Sequence, residues 1–389
     1  MGIDCQRCHG PGAEHEQTAK SKPLDFAFIR SKIVNPATLG RERQLEVCME
    51  CHLSTSGSQD KNISVRFNRS IFSYQPGQPL GDYKLYFDIA RKQKESGIEI
   101  ADVAYRLRMS RCFKQSEMTC LTCHNPHQES HSKETEAKYV KVCEGCRQAT
   151  VHKSALPTTE TCVSCHMPKR RGEFAVHIVL TDHCIQREKP SRDLLAPVTM
   201  HAPAADRETT LAPYYPEKLR NQSDDQLYLA IAESENAANP QGAAALESAI
   251  KTFAPAQAEF YQALAEAYAR SGSYAKAVTW FEEARKRKPK DRVLIGRMVE
   301  ALLETGELDR AQQILESAAA KPSPNASILA NLGNVYARRG QLEKADATLQ
   351  QALQMDPELA QSYNLLGGVQ RDGGGSGRGK SALSRGDPL

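Results

Sequence analysis

Four short runs constrain this chain more than anything else in it: Cys5-Gln6-Arg7-Cys8-His9, Cys48-Met49-Glu50-Cys51-His52, Cys120-Leu121-Thr122-Cys123-His124 and Cys162-Val163-Ser164-Cys165-His166. A fifth, Cys143-Glu144-Gly145-Cys146-Arg147, keeps both thiols and has arginine where the others have histidine. Two thiols about a helical turn apart can each form a thioether to one vinyl group of a single porphyrin, and the histidine that follows then lies under the iron and gives it an imidazole nitrogen. The spacing therefore reads as haem c attachment, with His9, His52, His124 and His166 as proximal ligands. Zinc is the competing chemistry, since paired Cys-x-x-Cys runs also build zinc ribbons. Zinc does not require a histidine straight after the second cysteine, and five pairs do not divide into sites of four thiolates. Four haems are expected; Cys143 and Cys146 leave a fifth open.

Twelve cysteines would be unusual in a reducing compartment unless they bind something. Cys112 and Cys184 lie outside the five pairs and read as a disulfide or, preferably, as two buried thiols. Aromatic content is only 6%, lean for an ordinary core, and covalent porphyrins would supply the missing apolar bulk. With 51 basic and 47 acidic residues, charge gives no argument for nucleic acid or an anionic membrane as partner. No apolar run approaches the ~18 residues of a membrane span. No signal peptide precedes the first motif, although haem c proteins mature outside the cytoplasm. The chain is therefore expected to be a fragment of a periplasmic or exported protein.

Residues 1–185 carry the haem motifs. Of eleven histidines, four follow motif cysteines. His15, His127, His131, His152, His177 and His183 remain in this region, and His201 lies beyond it. His15, His127, His152, His177 and His183 are the candidate distal ligands. Gly10-Pro11-Gly12 is a turn that lets His15 fold back, and Pro126 throws His127 onto a loop. The supply suffices to close every iron with two imidazoles, which permits electron transfer, whereas catalysis needs an open position. Asp182 beside His183 is expected to orient it only indirectly. Met109 is a further axial candidate, with core packing the favoured reading. Arg147 cannot give iron a lone pair. The fourth pair is thus either an open, catalytic iron with His152 as the nearest ligand or, the favoured reading, an empty or degenerate site. Residues 16–47 read as loop plus one short helix. The rings of residues 60–110 (Phe67, Phe72, Tyr74, Tyr83, Tyr86, Phe87, Tyr105) are expected against porphyrin faces.

Residues 186–222, with five prolines, read as an extended linker. From 223 to 370 a 34-residue period appears: Gly272, Gly306 and Gly340; Ala277, Ala311 and Ala345; Ala284, Ala318 and Ala352. That is the tetratricopeptide period, two antiparallel helices per unit. Units are expected at 258–291, 292–325 and 326–357, with a degenerate one at 224–257 and a further first helix from about 359. Glycine ends each first helix and proline each second. Residues 371–389 read as a flexible, glycine-rich tail. The fold class expected is mainly α, a loop-rich multihaem domain followed by an α-solenoid whose concave face grips a partner.

The run Cys5–His15, Ser110-Arg111-Cys112-Phe113, Cys120–His127 and Cys162–Pro168 resemble multihaem cytochromes c of the cytochrome c554 and hydroxylamine-oxidoreductase-related group. The whole chain resembles bacterial multihaem cytochromes fused to tetratricopeptide repeats. The resemblance implies electron transfer outside the cytoplasm, with a redox protein as partner of the repeats. It leaves two other readings standing: a haem enzyme acting on nitrite or hydroxylamine, and a repeat scaffold with a degenerate haem region. Arg147 departs from the pattern.

Overall fold

The computed structural model describes residues 4–54, 63–70, 72–89, 98, 101–128, 132–146, 161–172, 177–188, 190–197, 210–217, 222–235, 241–320 and 325–372. His131, His152, His201, Arg147, Pro322, Pro324 and the glycine-rich tail lie outside them. The chain divides into two compact units, Met1–Asn239 and Pro240–Leu389.

The first unit begins with α1 (Gln6–His9), α2 (Ala13–Lys20), α3 (Phe26–Ser31), a 3-10 turn at Pro36–Thr38 and α4 (Arg41–His52). The stretch read as loop plus one short helix is therefore more helical than expected. Local polar side chains account for it: Asp25 accepts from the Ala27 and Phe28 amides to start α3, and Asn35 accepts from Ala37 to start the 3-10 turn. Strands β1 (Ile63–Val65) and β2 (Lys84–Ile89) follow, then α5 (Val103–Met109), α6 (Arg111–Lys114), α7 (Cys120–Cys123), α8 (Lys133–Cys146) and α9 (Cys162–His166). A hairpin of β3 (Lys169–Arg171) and β4 (Val179–Thr181), strand β5 (Leu211–Tyr215) and α10 (Gln222–Glu235) complete the unit.

The sheet order is β1-β2-β5, antiparallel throughout. This corrects the expected linker and its boundary at 222. Residues 211–215 pair with β2, and α10 packs on the sheet, so the first unit runs on to Asn239. Pro213 made this stretch look like connector. As an edge strand whose register skips Tyr214 next to Pro213, β5 tolerates a proline because one of its sides needs no ladder donors. Arg66 Nη2 donates to buried Asp225 at 2.6 Å, and the Phe67 amide donates to Tyr228 Oη at 2.7 Å, which anchors α10.

The core of this unit holds Leu45, Met49 and Leu53 of α4 with Tyr74, Leu80, Tyr83, Tyr86, Tyr105, Leu107, Phe113 and Tyr215, and Met109 packs against it. Most rings expected on porphyrin faces instead pack on one another and on α4; Phe72 alone of that set is largely exposed, beside Arg7 of the first motif. Glu46 is fully buried in this core. Its carboxylate accepts from the Leu80 amide (2.9 Å), Tyr215 Oη and Arg43. These donors satisfy oxygens that burial cuts off from water.

The second unit is an α-solenoid. It comprises α11 (Gly242–Phe253), α12 (Ala258–Arg270), α13 (Tyr274–Arg287), α14 (Arg292–Glu304), α15 (Leu308–Ala319), α16 (Ala326–Arg338), α17 (Leu342–Met355) and α18 (Ala360–Asp372). Each helix packs on the next, and the first helices α12, α14, α16 and α18 also pack in series. The repeat boundaries expected from the period coincide with these helix pairs. Gly272, Gly306 and Gly340 have φ of 74°, 78° and 74°. Each ends a first helix with the same bonds: Ser273 N–H to Tyr268 O, Glu307 N–H to Leu302 O and Gln341 N–H to Tyr336 O, all 2.9 Å. Ala277, Ala284, Ala311, Ala345 and Ala352 are fully buried where helices approach closest; Ala318, at the matching position, is only half-buried. Gly333 of α16 sits so near α17 that a Cβ there would lie 2.6 Å from Leu349 Cγ. The first helices line a groove of about 500 Å³ bearing Glu266, Arg270, Arg297, Glu304 and Arg338.

Candidate haem-binding site

The five Cys-x-x-Cys pairs lie on or at the start of α1, α4, α7, α8 and α9. The third and fifth are initiated in the same way. Thr119 and Thr161 cap their helices, and the Thr122 and Ser164 hydroxyls accept from the cap amides at 3.0 and 2.9 Å. This reciprocal cap makes a single helical turn at Cys-x-x-Cys, which places both thiols on one side. The signal stood in the sequence as Thr-Cys-x-Thr/Ser-Cys and was not read there.

The attachment helices touch in chain order: α1 packs on α4, α4 on α7, α7 on α8 and α8 on α9. Side chains outside the motifs fix the second contact. Arg41 of α4 donates to the carbonyls of Met118 (3.2 Å) and Phe113 (2.9 Å), and Thr119 Oγ1 donates to Gln44 Oε1 at 3.0 Å. The Cys48 and Cys120 thiols are hydrogen-bonded to each other, which raises Cys48. Cys143 is pushed up to about 11 by burial and by neighbouring thiols, Cys162 foremost. Burial likewise raises Cys8, Cys51 and Cys123. No disulfide joins any two of the twelve cysteines, Cys5, Cys146 and Cys165 included. Among the described residues, no group of three or more Cys, His, Asp or Glu side chains converges as a metal cage. The thiols do not assemble in fours there, as zinc would require.

The histidines are held in a way that suits iron. Nδ1 of His9 lies 2.8 Å from Val34 O, that of His15 2.8 Å from Ile29 O, that of His166 2.6 Å from Gln186 O, and that of His183 3.0 Å from Thr181 O. A carbonyl can only accept, so Nδ1 carries a proton in each ring and Nε2 is the nitrogen left to meet a metal. His124 Nδ1 pairs instead with Tyr139 Oη at 3.1 Å. Burial lowers both His124 and His183, and the neutral ring is the form that binds a metal.

Two pairs of rings face each other. His9 and His127 have centroids 5.8 Å apart with planes 16° from parallel; His124 and His183 are 6.1 Å apart at 35°. The residues present fit haem c in their chemistry: thiol pairs on one helical turn, a histidine after four of the five, and Nδ1–H groups bonded to carbonyls that leave Nε2 for a metal. The loop after Pro126 does carry His127 to a motif, the first rather than its own. His15 lies on α2, and His52 and His177 are exposed. His177 makes none of the ring contacts found among the described residues. His152, the candidate for the fourth pair, lies outside them.

Comparison with known proteins agrees with these features. A family description of a doubled CXXCH motif matches residues 113–151, so Cys143 and Cys146 fall inside it together with Cys120 and Cys123. Three tetratricopeptide-repeat descriptions match residues 229–292, 270–323 and 333–371. The chain is similar to the multiheme cytochrome MtrA of Shewanella baltica (strain OS185), 26% identical over 191 residues, which is 47% of each protein. It thus spans about half the length of that curated relative. Among solved structures, MamA 41-end from Desulfovibrio magneticus RS-1 covers 43% of this chain and 93% of its own, at 21% identity and a TM-score of 0.36. PilW, a widely conserved type IV pilus biogenesis factor, covers 43% and 77%, at 21% and 0.37. The chain thus carries a doubled CXXCH motif and tetratricopeptide repeats, and is similar in part to a multiheme cytochrome.

Proposed function

We propose that this protein carries electrons along its haem-attachment sites and docks to a redox protein through its repeats. The observation that carries the reading is the unbroken series of contacts from α1 through α4, α7 and α8 to α9. Bound haem c supplies a one-electron iron couple at each site. The polypeptide's part is to hold successive sites side by side and to bring imidazoles together, His9 with His127 and His124 with His183, that would hold a haem iron. A pair of ligands leaves no position for substrate, which favours transfer over turnover at those two sites. The same location argument applies as for haem c proteins in general: maturation, and hence function, outside the cytoplasm. The likeness to a multiheme cytochrome supports this reading, and the mixed-charge groove of the second unit supports a protein as partner.

The test is to produce the chain behind an export leader in a host that matures cytochromes c. Four haems per chain by pyridine haemochrome, with low-spin spectra, are expected. A colourless or zinc-loaded product, or high-spin signals at every iron, overturns the proposal. Turnover of nitrite or hydroxylamine would replace it by the enzyme reading.

A further inference from the structure

Asp182 is fully buried and stands next to His183, yet it does not touch the imidazole, whose Nδ1 is bonded to Thr181 O. Its carboxylate is saturated by other groups. Oδ1 accepts from Arg106 Nε (2.9 Å) and the Cys184 amide (2.9 Å); Oδ2 accepts from Arg106 Nη2 (2.6 Å) and Arg170 Nη1 (3.1 Å). Arg106 comes from α5 and is itself buried, and Arg170 comes from β3. The Asp182 amide donates to Pro168 O at 3.0 Å. The backbone is therefore pinned on both sides of His183: at the Thr181–Asp182 peptide by the bond to Pro168, and at the His183–Cys184 peptide by an Asx turn onto Asp182. A two-bond fork from Arg106 fixes where that turn sits.

We propose that Asp182, gripped by Arg106 and Arg170, is the positioning residue that holds the His183 imidazole opposite His124. The inference rests on the reading that these two rings share one iron. Three segments distant in sequence converge on one carboxylate, and the only ring that this carboxylate's turn carries is the one facing His124 at 6.1 Å. Rigid support of a metal ligand by its outer partners is what keeps the ligand in bonding reach. The β3–β4 hairpin follows the fifth motif directly. The arrangement thus lets the chain beyond one attachment site supply the second ligand of another.

Three holoprotein variants test this, read by electron paramagnetic resonance and optical spin state, with haem count and far-UV helicity as controls. His183→Ala is expected to convert one low-spin haem to high-spin, reversed by added imidazole. Asp182→Asn, which keeps shape and loses charge, is expected to give the same one-haem conversion with the haem count unchanged. Arg106→Lys, which keeps charge and loses the fork, is expected to convert part of that haem's signal, and it decides the matter if Asp182→Asn does not accumulate. Retention of the full low-spin complement in His183→Ala overturns the ring pairing and this inference with it. Loss of one low-spin haem in His183→Ala, with the full complement kept in Arg106→Lys and in any Asp182→Asn obtained, overturns the role of Asp182 alone.

Discussion

The two units of this protein are stabilised by opposite means. In the solenoid, order comes from near neighbours: the same left-handed glycine and the same small alanines recur every 34 residues, and each helix needs only the next one. In the first unit, order comes from buried charge. Glu46 gathers donors from β5, from Leu80 and from its own helix, and Asp182 gathers them from α5 and β3. Neighbour-to-neighbour packing tolerates loss of one contact, while a buried carboxylate stripped of its donors, or donors stripped of it, leaves an uncompensated group. The difference teaches that the repeats are a self-sufficient scaffold, while the first unit is a frame pinned at a few buried carboxylates.

The sharpest way to break that contrast is to deny the frame a haem. Cys120→Ala with Cys123→Ala should lower the pyridine haemochrome count by one and lower the melting temperature read at the Soret band. Fluorescence of Trp280, the chain's single tryptophan, which lies in α13, should report an unchanged transition of the repeats. Next in size is Glu46→Ala. Removing the carboxylate takes the acceptor from the Leu80 amide and leaves Tyr215 Oη and Arg43 only their longer contacts to Glu42, at a cost of about 3 kcal/mol in chemical denaturation of the first unit. In the repeats the largest single effect should come from overpacking. Gly333→Val drives a side chain into Leu349 and should cost about 2 kcal/mol, read by Trp280 fluorescence in denaturant. Gly306→Ala, which forces a side chain into the left-handed turn, should cost about 1 kcal/mol by the same measurement.

Mild acid gives the smallest effect and separates the units by burial. Burial pushes Asp182 up, but the Arg106 and Arg170 hydrogen bonds overcome it and hold the carboxyl below its ordinary value. Its folded-state value is thus depressed. Its contribution is complete above the ordinary carboxylate range and is lost as pH falls through the folded value. Glu283 and Glu316 in the repeats are lowered too, by Lys286 and by Gln312 respectively, but Glu283 is only half-buried and Glu316 exposed. Screening makes such groups contribute little. Below about pH 4 the first unit should lose stability more steeply than the second, and Asp182→Asn should flatten that slope in a urea titration at several pH values.

How far each unit could be read from its residues follows from the same contrast. Gly272, Gly306 and Gly340 announce the solenoid because a turn that needs a left-handed residue recurs at fixed spacing. The thiol pairs announce haem c because covalent chemistry fixes their separation. Nothing periodic marks Arg106 and Asp182, 76 positions apart, as partners. Nor does composition show that Tyr215, behind Pro213, reaches back to Glu46. His127 was legible as a mobile-end ligand candidate, but only folding shows that the first motif's His9 is the ring it faces. The capping Thr119 and Thr161 were local enough to be found and were obscured by the cysteines beside them.

The three matching glycine turns carry one more consequence. Excision of residues 292–325 would join the end of one helical hairpin to the start of another with the same hand and the same stop, shortening the superhelix by a single step. The array is therefore modular in length, and its reach can be reset by whole-unit duplication or loss without redesigning any joint.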